Sequence, residues 1–165
     1  MKRGTTSTVR EHIEVTPEVI YDLVSDVTRM GEWSPECVAC EWVDGATGPV
    51  VGARFRGRNR HGLARWSNRP RVIAAERGRE FGFVATDPLG RDMTRWTYRF
   101  DPTPTGTDVT ESFEMVRSIP LYIRLTDRWL MGVKDRKADL EANMQRTLAA
   151  IKVTVEASRV DRTEL

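Results

Sequence analysis

Several classes of function fall away because the residues they need are scarce or missing. The 165-residue chain has only two cysteines, Cys37 and Cys40, and two histidines, His12 and His61. Two cysteines do not make the disulfide framework of a small secreted domain. Cys37-Val38-Ala39-Cys40 has C-x-x-C spacing, yet a structural zinc site wants four ligands. No second such pair exists, and the histidines lie in unrelated segments. A redox pair belongs at a helix start; these thiols lead into a predicted strand, where residues three apart face opposite sides. Free thiols are the expectation, with no metal and no cofactor. Gly-rich phosphate loops, dinucleotide fingerprints, H-E-x-x-H and G-x-S-x-G are all missing. No run approaches the ~20 apolar residues of a membrane span. The basic start, Met1 to Arg10, is not followed by the apolar stretch of a signal peptide, so a cytoplasmic location is expected.

Neither sign of charge is in excess. The 26 basic side chains nearly balance 24 acidic ones, leaving +2, which gives no general attraction to nucleic acid or anionic lipid. Arg54, Arg56, Arg58 and Arg60 occupy alternate positions of one segment, with Arg65 and Arg69 nearby; they read as a solvated convex face. With 39% apolar and 30% charged residues, the chain has a core under a charged surface. Its length fits one domain over 1–165, with an ordered core near 8–157 and a polar tail at 159–165.

The pattern changes twice along the chain. Thr8–Val15 alternates as a strand does, although Glu11 interrupts its Val9, Ile13, Val15 face. Thr16 and Pro17 then suit the N-cap and first turn of a helix carrying Val19, Ile20, Leu23, Val24 and Val27. A second short helix or turn covers Thr28–Trp33 and stops before Ser34-Pro35. Strand texture follows at Val38–Val43, Ala53–Asn59, Trp66–Ala75, Phe81–Thr86, Met93–Phe100 and Asp108–Val116, separated by Gly, Pro, Asn and Asp turns. Such short connections imply an antiparallel meander. Gly52, Gly57 and Gly82 offer places for it to bend. Pro120–Met131 reads as a short helix or ordered loop. From Val133 to about Ser158, Leu140, Met144, Leu148, Ile151 and Val155 form one apolar stripe on a charged helix. The expected fold is α+β, a curved antiparallel sheet of about seven strands wrapped around a long C-terminal helix, with two short helices after the first strand.

The same segments resemble a known superfamily. They include Thr16-Pro17-Glu18-Val19-Ile20-Tyr21, Met30-Gly31-Glu32-Trp33-Ser34-Pro35, Val51-Gly52-Ala53-Arg54-Phe55, Trp96-Thr97-Tyr98-Arg99-Phe100, Gly106-Thr107-Asp108-Val109 and Asn143-Met144-Gln145-Arg146. Together they resemble the SRPBCC superfamily of polyketide cyclase/dehydrase and START-like lipid-binding proteins, over roughly Thr8–Ala157. The resemblance implies a helix-grip fold with a cavity between sheet and helix. It does not fix the chemistry.

Strand parity nominates the lining of that implied cavity. The candidates are Phe55, Gly57 and Asn59; Trp66 and Asn68; Phe81 and Phe83; Trp96 and Tyr98; Glu111, Phe113 and Met115; Leu140 and Met144, with Trp33 at the mouth. Core packing is the commoner fate of any single aromatic among them. Glu111 shares parity with Val109 and Phe113 and so should point inward. Either it sits in a structural ion pair or bulges outward, or it meets a ligand and acts as an acid or base. Asn59, Asn68 and Tyr98 are further hydrogen-bonding candidates.

The leading functional expectation is a non-enzymatic carrier or sensor, as monomer or homodimer, for an apolar small molecule such as a lipid, polyketide or aromatic metabolite. No nucleic acid partner and no membrane span are expected. A second reading is an aromatase/cyclase-type enzyme using Glu111 and Tyr98 in proton transfer. An inward acid–base pair within hydrogen-bond reach would favour it. A third is a protein-interaction module with a filled core.

Overall fold

The computed structural model describes residues 1–87, 89–119 and 135–163. Strand β1 (Thr6–Ile13) leads into helix α1 (Pro17–Ser25) and a 3-10 helix (Val27–Glu32). Thr16 takes the extended N-cap conformation ahead of Pro17, though its side chain makes no capping bond. The meander then runs β2 (Cys37–Val43), β3 (Arg54–His61), β4 (Ala64–Asn68), β5 (Arg71–Glu76), β6 (Glu80–Thr86), β7 (Asp92–Thr103) and β8 (Gly106–Met115). Helix α2 (Arg136–Thr163) closes the chain. The expected helix-grip is therefore present. The predicted strand at Trp66–Ala75 is two strands, because Arg69-Pro70 breaks it and Pro70 has no N–H for a ladder. Helix α2 continues past Ser158 to Thr163. The predicted element at Pro120–Met131 lies outside the described residues.

Antiparallel pairing in the order β1-β8-β7-β6-β5-β3-β2 gives a path of seven strands, with β4 hydrogen-bonded to β3 beside it. Register shifts between Cys37 and Ala39, Val72 and Ala74, and Ala85 and Thr86 are β-bulges that raise the local twist. Gly57 and Gly82 lie within strands, while Gly52 belongs to the turn before β3. The exposed residues Arg54, Arg56, Arg58 and Arg60 occupy the outer face of β3, opposite buried Phe55 and Gly57.

Helix α2 fills the curl. Leu140, Met144, Leu148, Ile151 and Val155 are all buried, each worth roughly 1.5–3 kcal/mol. Polar contacts align the helix with β1: Ser7 Oγ donates to Glu141, Lys152 Nζ to Glu11 at 2.8 Å, and the Glu14 N–H to Glu156 at 3.1 Å. From Ser7 to Glu14 and from Glu141 to Glu156, strand and helix both advance about 23 Å at ~3.3 and ~1.5 Å per residue. Glu11, the misfit in the β1 pattern, is thus the strand's partner for a helix lysine.

The β7–β8 turn abuts the end of β1. Gly106 has φ +155°, and a β-carbon there would lie 2.8 Å from Glu14 Cα, besides striking the Ile13 carbonyl. Gly106→Ala is expected to cost about 2–3 kcal/mol in urea melts, since backbone must move. Gly48→Ala, with nothing within 4 Å, should change stability by under about 0.5 kcal/mol.

Candidate functional site

Cross-strand register sets the interior. Phe81, Tyr98, Glu111 and Val9 lie opposite one another on β6, β7, β8 and β1, and Phe83, Trp96, Phe113 and Ser7 form the next row. Because strand side chains alternate, each row has one face in common. Phe55 packs edge-on against Phe83 at 5.4 Å between centroids, and Trp96 tilts over Phe113 at 5.6 Å. Phe113 and Met115 join Leu140 and Met144 of α2 in one apolar cluster. Phe55, Phe81 and Phe83 belong to a second, larger one that continues through Tyr21 and Phe100 of the α1 side.

Glu111 is the chemical centre of this wall. It is 2% exposed, and its Oε1 accepts a 2.8 Å hydrogen bond from the Tyr98 hydroxyl, itself 3% exposed. Among the described residues no cation bonds it, so neither the ion pair nor the outward bulge occurs. Oε2 is buried without a partner. Burial pushes the Glu111 carboxyl up from 4.5 to about 8, against the lowering effect of the Tyr98 bond. The same burial, followed by the neighbouring Glu111, raises Tyr98 well above its ordinary value. At neutral pH the carboxyl is therefore mostly protonated. With Oε1 accepting from Tyr98, a proton held on Oε2 would be free to donate.

Three further buried groups lack partners: Trp33 Nε1 and Asn59 Nδ2 among the predicted lining and its mouth, and the Thr103 hydroxyl, which lies at the end of β7 away from them. Trp33, 4% exposed, packs edge-on against Tyr98 at 6.4 Å, inside the wall instead of at a mouth. Asn59 faces Cys37 on one side and Trp66 on the other. Trp66 and Asn68 are only half-buried on β4; Asn68 and Asn59 crowd over Gly57, where a β-carbon would meet Asn68 Oδ1 at 2.7 Å. Trp42, not anticipated as lining, packs edge-on against Phe55 at 5.8 Å and extends the aromatic row.

The cysteines depart from expectation. The β2 bulge between Cys37 and Ala39 turns both thiols to one side, with their sulfurs 3.2 Å apart. Simple strand parity, which set them on opposite faces, fails there because a bulge adds a residue. Both remain free thiols in the structure.

At one rim, chain segments far apart in sequence are tied by charge. Arg136 Nη1 and Nη2 donate to Glu36 at 2.6 and 2.9 Å, Arg136 also donates to Asp139, and Asn143 Nδ2 reaches Glu36 at 2.9 Å. His61 Nδ1 lies 3.1 Å from the same Glu36 oxygen. Glu36, His61 and Asp139 are close enough to hold a cation, but the Arg136 guanidinium already occupies that position between the two carboxylates. The cluster therefore pins α2 to β3 and the loop before β2. His61 was weighed in the sequence only as a zinc ligand, and Glu36, Arg136, Asp139 and Asn143 were not site candidates, since nothing local marks a contact across a hundred residues.

A cleft of about 880 Å³ lies elsewhere. It opens to solvent between the β1–α1 connection, the β7–β8 turn and the C-terminal part of α2, lined by Val15, Pro17, Val19, Pro102, Pro104 and Val155. It contains none of the predicted lining residues. Volume alone favours it; chemistry favours the Glu111 wall.

Two outcomes follow from these charges. Between about pH 4.5 and 8 the folded protein keeps a Glu111 proton that the unfolded chain has lost. Stability from this group is thus full below 4.5, falls by about 1.4 kcal/mol per pH unit up to 8, and levels above it. Glu111→Gln lacks that slope, so urea melts from pH 5 to 8 should show the variant gaining on the parent by a few kcal/mol. Arg136→Gln leaves Glu36 and Asp139 without their cation and should cost about 2–3 kcal/mol at pH 7 in the same assay.

Comparison with known proteins agrees with this architecture. The family model described as "Polyketide cyclase / dehydrase and lipid transport" matches residues 4–156. No curated protein matches the chain. Among solved structures, a polyketide-cyclase-like protein of Corynebacterium glutamicum is 38% identical, covering 94% of this chain and 88% of its own, with a TM-score of 0.50. An AHSA1-like protein of Aeromonas hydrophila shares the fold at 21% identity, covering 93% and 94%, with a TM-score of 0.62. The di-domain ARO/CYC of the steffimycin biosynthetic pathway aligns at TM-score 0.71 and 12% identity, over 97% of this chain and 52% of that one. With a match over nearly its whole length and a solved relative at 38% identity, the chain belongs to the polyketide cyclase / dehydrase and lipid transport family.

Proposed function

We propose that the protein binds a small, largely apolar molecule bearing acceptor oxygens, held between the aromatic wall and α2. The observation that carries this reading is the chemical sense of the unpartnered interior groups. Trp33 Nε1, Asn59 Nδ2 and protonated Glu111 Oε2 are all donors. Leaving a buried donor unpaired costs roughly 1–3 kcal/mol, a cost that a carbonyl or quinone oxygen placed there would recover. Apolar surface on the same molecule would bury against Phe81, Phe83, Trp96 and Phe113. The family to which the chain belongs supports hydrophobic ligand binding in general terms.

A second reading, catalysis of the aromatase/cyclase type, gains from one observation. The inward acid–base pair that would distinguish it exists as Tyr98 and Glu111 at 2.8 Å, with the carboxyl near 8. In that reading Glu111 donates its proton to a substrate carbonyl oxygen and Tyr98 holds the carboxyl in place.

Tryptophan-fluorescence titration with a hydroxyanthraquinone and with anthracene tests the binding claim. The quinone should bind at least about tenfold more tightly, roughly one hydrogen bond's worth. Glu111→Gln keeps a donor and should retain that preference, whereas Glu111→Leu should abolish it. Equal affinity for both probes, or none for either, overturns the proposal.

A further inference from the structure

The sulfur atoms beside the wall form a group that neither binding nor proton transfer uses. Cys37 and Cys40 face the same way only because of the β2 bulge, and their sulfurs stand 3.2 Å apart. A third sulfur, Met30 Sδ on the 3-10 helix, lies 3.8 Å from Cys40 Sγ. This approach depends on Gly31, next to Met30: a β-carbon there would come within 2.6 Å of the Val38 carbonyl oxygen on β2. The helix can therefore close on the bulged strand only with glycine at that position. Cys37 and Met30 are buried, while Cys40 is partly exposed and gives a path in.

We infer that Cys37, Cys40 and Met30 form a three-sulfur site for a soft monovalent cation of the Cu(I) class. Thiolate and thioether donors select soft ions, and a thioether is a poor ligand for zinc, which in structural sites also takes four. With metal–sulfur bonds of ~2.3 Å, a trigonal site has sulfur edges of about 4.0 Å. The Cys40–Met30 edge is already close to that, and the thiol–thiol edge must open by less than an ångström. A disulfide would instead need the sulfurs to close by more than an ångström, to about 2.05 Å. Loading exchanges the two thiol protons for the ion, with no change in oxidation state of metal or sulfur. The Cys40 sulfur, within hydrogen-bonding distance, holds the proton affinity of Cys37 below the ordinary thiol value.

The test is an anaerobic titration of the reduced full-length protein with Cu(I), in competition with the chromophoric chelator bicinchoninate. One equivalent should be withheld from the chelator, with a near-ultraviolet thiolate-to-copper band. Cys37→Ser and Cys40→Ser should each weaken retention by about 100-fold or more, and Met30→Leu by about tenfold. Met30→Leu conserves volume, so it keeps the test readable if a cysteine variant fails to fold: its affinity must fall while its melting temperature holds. Failure to withhold copper overturns the site. So does undiminished retention in Cys40→Ser or Met30→Leu, or the spontaneous loss of two hydrogens that would mark a disulfide in the reduced protein.

Discussion

A sheet that curls with Phe55, Phe81, Phe100 and Phe113 on its inner side can be covered only from within the curl, and α2 is the element that reaches there. Its stripe from Leu140 to Val155 and the inner faces of β1, β7 and β8 satisfy each other's need to leave water. Once that burial is made, whatever polar groups share those faces are buried with it. Glu111 shows the scale of the trade. Holding a carboxyl in such a place costs a few kcal/mol at neutral pH, set against an apolar core many times larger.

The same closure places two unlike chemistries side by side. Tyr98 bonds the carboxyl of Glu111, and Cys37 is near enough that ionising its thiol would raise Tyr98 further. The unpartnered groups of Trp33, Asn59 and Glu111 are oxygen and nitrogen atoms, whereas sulfur gathers where the 3-10 helix meets β2. The two sets differ in chemical character, one hard and hydrogen-bonding, the other soft and polarizable.

What was legible in the sequence was what depends on neighbours along the chain. Parity put Phe81, Tyr98, Glu111 and Phe113 on the inner face, and a 3.6-residue period put Leu140 and Met144 against them. Both hold because alternation and helical spacing are properties of a single segment. Parity failed at Cys37 and Cys40, since a bulge is decided by the partner strand and leaves no mark of its own in the sequence. The ties of Arg136 to Glu36 and of Lys152 to Glu11 were invisible for a related reason: they join segments about a hundred residues or more apart. Trp33 was expected at the mouth, but the fold places it inside, edge-on against Tyr98.

The pairing of β1 with β8 also governs how the chain can fold as it is made. The first strand is complete within the first thirteen residues, yet its hydrogen-bonding partner begins at Gly106 and its covering helix at Arg136. During synthesis β1 must wait as an exposed Val- and Ile-bearing segment until β8 and helix α2 have been made. Closing so long a loop delays the reward for ordering it, which slows folding. Until then its unpaired edge is the stretch most open to a wrong partner.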